Sequence, residues 1–188
     1  MNRPKTLRDV SGLGSQPAVL SLSALIMIDL QNTYRKGVMR LEGVEAALIE
    51  ARDLLVRARD AGAGSPYDLG ASIGQISGEV APREGEAVIV KGYPNASVGT
   101  DLEARLRVTG VKDVVLAGFM THMCVNSTAR GAFNLGFRPT VVAAATATRD
   151  LPGPDGAVLP AAALQAASLA ALADLFAVVA PRGGDLLA

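Results

Sequence analysis

The sequence predicts an α/β protein built on a parallel sheet, and three observations carry that reading. Short apolar runs recur along the chain: "ALIMID" (24–29), "AVIVK" (87–91), "DVVLAG" (113–118), "RPTVVAAA" (138–145) and "LFAVVA" (175–180). Runs of this length without polar alternation are the pattern of strands buried on both faces. Between them lie stretches of helical periodicity closed by glycines. Strand and helix in alternation require right-handed crossovers, with helices on both faces of the sheet.

Taken in order, residues 1–22 show no clean period and carry Gly12, Gly14, Ser15 and Pro17, so they read as an N-terminal arm. The remainder, 23–188, reads as a single domain without internal repeats. "ALIMID" ends in Asp29. From Val44 onward Ala47, Leu48, Ala51, Leu54, Leu55 and Ala58 recur at helical spacing, and Gly62 stops the helix. "AVIVK" ends in Lys91, and Thr100 with Glu103 forms a capping-box pattern for a short helix closed by Gly110. "DVVLAG" is followed by "CVNSTARGAFNLG", a helix with Gly136 behind it. "RPTVVAAA", an Ala-rich helix over about 160–174 and "LFAVVA" complete the pattern. The 25 residues from 62 to 86 fit poorly, because a structureless connection of that length is uncommon inside a domain.

Bulk composition removes several classes of function. A chain of 188 residues buries a sizeable core as one domain, and 49% apolar residues exclude disorder. Eighteen basic residues balance eighteen acidic ones, and no basic run offers a surface for nucleic acid or an anionic membrane. One cysteine makes no internal disulfide, and "MNRPKTLRDV" lacks the apolar centre of a signal peptide. "PAAALQAASLAALADLF" is interrupted by Gln165, Ser168 and Asp174, so no membrane span is expected. A cytoplasmic protein is expected.

Ligands of open α/β sheets bind outside the carboxyl ends of the strands, so polar residues immediately after apolar runs mark the candidate site. Asp29, Lys91 and Cys124 all occupy such places. A helix N-terminus and a nearby cation lower a thiol's pKa below its usual value of about 8.5, and a carboxylate can take its proton. Each residue also has a plainer reading. A lone cysteine in an apolar chain is most often a small buried hydrophobe, an Asp at a strand end is often a cap, and a strand-end Lys is usually a solvated charge. Their joint placement favours the nucleophile. His122 and Cys124, two residues apart, do not face each other on a helix, and one His with one Cys cannot build a four-ligand zinc site. No Gly-rich fingerprint follows a strand and opens a helix, so neither a nucleotide nor any other cofactor is expected.

The stretches "LIMIDLQNTY", "VIVKGYPNASVGTDLEARLRVTGVKDVVLAGFMTHMCVNSTARGAFNLGF" and "VVAAATATRD" resemble the isochorismatase-like cysteine hydrolases in order and spacing. The resemblance implies a three-layer α/β/α Rossmann-like fold with a mainly parallel sheet of five or six strands. It also implies an Asp29, Lys91, Cys124 triad, a thioester intermediate and hydrolysis of a small amide, carbamoyl or ureido compound. A cis peptide between Phe119 and Met120 is implied with it, and an oxyanion hole from the backbone N–H groups of Met120 and Cys124. Gln31, Tyr34, Asn95, Ser97, Thr121 and His122 are the expected pocket residues. Assembly as a homo-oligomer, a dimer or tetramer, follows the family's habit.

The departures are informative too. This chain lacks the Asp-x-His metal motif of the nicotinamidases, so no metal is expected, and Cys124 argues against the vinyl-ether cleavage of the cysteine-free founding members. Ser97 stands where relatives carry Phe. The strand that relatives show directly after the first helix has no counterpart in "GAGSPYDLG" (62–70). Two other classes compete with the hydrolase: a non-catalytic relative that binds a small molecule or only assembles, and a thiol redox sensor, weakened by the absence of a resolving cysteine.

Overall fold

The computed structural model describes residues 5–60 and 75–187. Four strands pair in parallel: β1 (Ser23–Ile28), β2 (Asp113–Phe119), β3 (Arg138–Ala147) and β6 (Val178–Ala180), in the order β1-β2-β3-β6. β1 lies on β2 in register from Ser23 opposite Asp113 to Ile28 opposite Gly118, and β2 meets β3 with a register shift between Leu116 and Gly118. A second, antiparallel pair joins β4 (Leu151–Pro152) to β5 (Val158–Leu159).

Alternation along the strands builds two cores. Leu25, Met27, Val115, Ala117 and Val142 face one side of the sheet, where the buried stripe of α2 (Val44–Asp60), from Val44 through Leu48 and Leu55 to Ala58, packs on them. Ile26, Ile28, Val114, Leu116 and Val141 face the other side. There they meet Leu102 and Leu106 of α3 (Leu102–Thr109), Ala129 and Ala132 of α4 (Asn126–Asn134) and Leu172 of α5 (Ala161–Ala173). The period-2 geometry of the strands thus sorts one sequence into two apolar layers, and the expected α/β/α architecture results. α3 begins at Leu102 with Asp101 at its N-cap instead of the Thr100 capping box; the Thr100 hydroxyl donates to the Ala96 carbonyl and accepts from the Leu102 amide. Gly110 closes it in the left-handed conformation, φ 75°.

The N-terminal arm carries the one-turn helix α1 (Leu7–Val10) and lies against the far end of the chain. The Arg8 amide donates to the Asp174 carbonyl, and the Leu20 amide to that of Leu187.

One sequence expectation is overturned. Residues 87–91 do not join the sheet, which has four parallel strands among the described residues instead of five or six. Ile89 is buried while Val88 and Val90 are exposed, so the segment keeps the side-chain alternation of a strand without its ladder. A cavity of about 770 Å³ is lined by Leu25 and Ile26 of β1 together with Ala87, Ile89 and Leu106, and no backbone pairing joins the segment to β1. The place where relatives carry an additional strand, at about 62–66, lies outside the described residues. A side-chain clasp helps to fix the segment: Arg59 of α2 grips Glu86 through Nε and Nη2 at 2.7 and 2.6 Å, with both side chains largely buried. The guanidinium holds the Glu86 carboxyl below its ordinary pKa, which keeps the pair ionised.

Candidate active site

Three chain segments meet at the carboxyl edge of β1 and β2. Asp29 follows the last residue of β1 and takes a positive φ of 47°, a left-handed conformation that Asp tolerates better than bulkier residues. This turns the chain sharply at the strand end. β2 runs into a cis peptide between Phe119 and Met120, then a π-helical turn, Thr121–Val125, that leads into α4 and carries Cys124. Such turns are frequent at functional sites. Lys91 arrives from the segment clasped by Arg59.

The Lys91 ammonium sits 2.7 Å from Asp29 Oδ2 and 3.4 Å from Cys124 Sγ, and it donates to the Tyr93 carbonyl at 3.3 Å. Burial alone lowers the pKa of Lys91, but the hydrogen bond and charge of Asp29 outweigh it, and the net direction is upward. Lys91 is a permanent cation at neutral pH.

The thiol departs from the expectation drawn from its position. Burial, and after it the charge and hydrogen bond of Asp29, push Cys124 up to about 11, and Lys91 offsets this only in part. Cys124 is 8% exposed. The resting sulfur is therefore protonated and hydrogen-bonded to the carboxylate beside it. Burial likewise pushes the Tyr34 phenol up to about 12, with Asp29 and Cys124 adding to the effect. Tyr34 is packed edge-on against Phe119, with ring centroids 5.7 Å apart.

These groups set an alkaline limit on the fold. In the unfolded chain Cys124 and Tyr34 lose their protons at about 8.5 and 10. The native state binds those protons more tightly, so stability is complete below the unfolded values and falls as pH rises toward 11 and 12. The raised Lys91 acts in the same direction, its contribution being lost as pH rises through its folded value. Thermal melts between pH 8 and 11.5 are expected to show a steeper alkaline decline for the parent than for a Cys124→Ser, Tyr34→Phe double variant. The difference should be on the order of 1 kcal/mol per group after solvent screening. Parallel curves would refute it.

Asp29, Lys91 and Cys124 line a cavity of about 420 Å³ together with Gln31, Tyr34, Tyr93 and Pro94. Of the residues expected in the pocket, Gln31 and Tyr34 line this cavity. Asn95, Ser97, Thr121 and His122 do not line this cavity. Asn95 packs against Gly131 of α4, where a Cβ would come within 2.3 Å of its amide nitrogen, and its Oδ1 accepts from the Ser97 amide. Thr121 opens the π turn and is fully buried. His122 is hydrogen-bonded through Nδ1 to the Thr148 hydroxyl, and burial, with the charge of Arg149, lowers its pKa and keeps the ring neutral. The sequence reading missed Tyr93 as a single residue, although "KGYPN" marks a turn and places Tyr93 two positions after Lys91.

Among the described residues, no group of three or more His, Cys, Asp or Glu side chains could hold a metal ion. Among the same residues no helix is long and apolar enough to cross a membrane.

The isochorismatase domain model matches residues 23–182. A crystal structure of an isochorismatase from Pseudomonas putida superposes with a TM-score of 0.93 at 38% identity, covering 98% of this chain and 100% of that one. A secreted isochorismatase effector of Verticillium dahliae is 35% identical over 88% of this chain and 92% of its own length. A maleamate amidohydrolase of Pseudomonas putida is 32% identical over 70% of this chain and 72% of its own. With the matched domain model running from β1 past β6, and a relative this similar over nearly its whole length, the chain belongs to the isochorismatase family of hydrolases.

Proposed function

We propose that the protein is a cysteine hydrolase that cleaves a C–N bond of a small amide, carbamoyl or ureido compound through a thioester on Cys124. The observation that supports this reading is the meeting of carboxylate, ammonium and thiol at 2.7 and 3.4 Å in one cavity. A maleamate amidohydrolase among the relatives gives the bond type.

In this reading the thiol is not ionised in advance. With its pKa near 11, the proton passes to Asp29 as sulfur attacks the carbonyl carbon, so general-base catalysis replaces a standing thiolate. The backbone N–H groups of Met120 and Cys124 donate to the oxygen that gains negative charge. Asp29 then returns the proton to the departing nitrogen, the C–N bond breaks, and ammonia or an amine leaves a thioester behind. Water attacks the thioester carbon while Asp29 takes its proton. The C–S bond breaks, the acid is released, and sulfur regains the proton. Lys91 stays charged throughout, holds Asp29 in place and offsets charge on sulfur.

A panel of small amides, carbamoyl compounds and ureides, assayed for ammonia release with acid-quenched samples weighed for an acyl adduct on Cys124, tests the proposal. Ammonia from at least one compound, with an adduct at Cys124, is expected. The raised thiol favours a second reading, a non-catalytic relative that binds a small molecule. Saturable binding across the panel with neither ammonia nor adduct selects it.

A further inference from the structure

We infer that the Cys124 cavity selects an uncharged substrate, an amide or ureide with no carboxylate near its scissile carbonyl; this rests on the hydrolase reading above. The argument is the donor inventory of the one cation in the described lining. An ammonium has three N–H donors and no more. Those of Lys91 have three partners already, Asp29 Oδ2 at 2.7 Å, Cys124 Sγ at 3.4 Å and the Tyr93 carbonyl at 3.3 Å. Nothing is left on Lys91 for a substrate's carboxylate, and its charge is offset by Asp29.

The rest of the described lining offers no compensation. Gln31, Ile89, Val90, Gly92 and Pro94 are neutral, and the Tyr34 phenol stays protonated. Arg35, next to Tyr34 in the chain, is held by Glu45 at 2.6 Å and Glu79 at 2.9 Å. The His122 ring is taken by Thr148, outside the cavity. Residues 61–74, which lie outside the described set, contain one charged side chain, Asp68, and no Lys, Arg or His. A carboxylate brought to Cys124 would lose its water and face Asp29 at short range, with no opposite charge free to meet it among the described lining residues. A neutral planar amide meets instead two tyrosine side chains and the amide of Gln31, which match its flat apolar faces and polar edges. The contrast with the relative is chemical: maleamate carries a carboxylate, and this cavity has no free cation for it among the described residues.

Iodoacetamide and iodoacetate differ in the property at issue, and the chain's one cysteine makes the labelled site unambiguous. The ratio of their alkylation rates at Cys124, divided by the same ratio for free cysteine, is expected to exceed tenfold in favour of the neutral reagent. A normalised ratio at or below one overturns the inference. Turnover gives a second arm with maleamide, the neutral diamide, against maleamate, its half-acid. One ammonia per maleamide is expected, with kcat/KM for maleamate at least tenfold lower; release of both amides at comparable rates overturns the inference. A high alkylation ratio with no ammonia from any amide sinks the hydrolase reading alone and leaves the charge preference standing.

Discussion

Cys124→Ala is expected to lower ammonia release by at least about 10⁴-fold in kcat while the fold persists. A nucleophile cannot be replaced by its neighbours, and removing one from a working triad costs roughly 10⁴ to 10⁶. The side chain lost is small, and Val125, Ala129 and Ile28 around it keep their mutual packing. The melting temperature should therefore move by only a few degrees. Cys124→Ser is the sharper comparison. It preserves shape and a hydrogen bond to Asp29, yet an alkoxide is far harder to generate than a thiolate, so its rate should lie near that of the alanine variant. The measurement is single-turnover ammonia release on the compound selected by the panel. Activity in either variant within tenfold of the parent would remove sulfur from the chemistry and return the site to ligand binding.

The second large effect falls on the fold at the same place. Gly118 lies opposite Ile28 in the β1–β2 ladder with φ 131°, a conformation side-chain-bearing residues rarely adopt. A Cβ there would sit 1.8 Å from the Ile28 carbonyl oxygen, 2.6 Å from its carbon and 2.7 Å from the Ile28 nitrogen. All three atoms are backbone, so no rotamer relieves the clash. Gly118→Ala must part β1 from β2 where one delivers Asp29 and the other delivers Met120 and Cys124. A destabilisation of about 4 kcal/mol or more is expected, a fall in melting temperature on the order of 10 °C for a chain of this length. Gly78→Ala, with nothing within 4 Å of its added carbon and no positive φ, is the matched control and should melt within about 2 °C of the parent. Equal melting temperatures for the two variants would show that the ladder yields more easily than this geometry allows.

Legibility in the sequence followed how local each determinant is. Asp29 and Cys124 were readable because each follows an apolar run that forms a strand, and strand ends are where parallel sheets place their ligands. α2 was readable because its buried stripe repeats over 17 residues. Lys91 was named correctly as a residue next to the other two, but its segment was read as a strand. Propensity alone speaks for a strand in "AVIVK", and only the distance to a partner decides whether a ladder forms. β4 and β5 were missed because two-residue strands carry no periodicity to detect. The thiol's direction was misjudged for a physical reason: a cation and a helix terminus can be inferred from order along the chain, whereas burial is a property of the assembled surroundings, and here burial is the larger effect. The bond between His122 and Thr148 joins residues 26 positions apart and has no signature in either neighbourhood.

The clasp between Arg59 and Glu86 has a consequence for how the protein fails on heating. A strand within a sheet is tied down by its neighbours' backbone, and such a residue leaves its place only when the whole assembly melts. The segment that carries Lys91 has no such ladder and is held by side chains: Glu86 on Arg59 of α2, Ile89 in one apolar layer and the Lys91 ammonium on Asp29. Its excursions away from the sulfur are sub-global openings, which need far less free energy than cooperative unfolding. Inactivation and denaturation are thereby expected as two separable events on heating, the first reversible and the second governed by the two apolar layers.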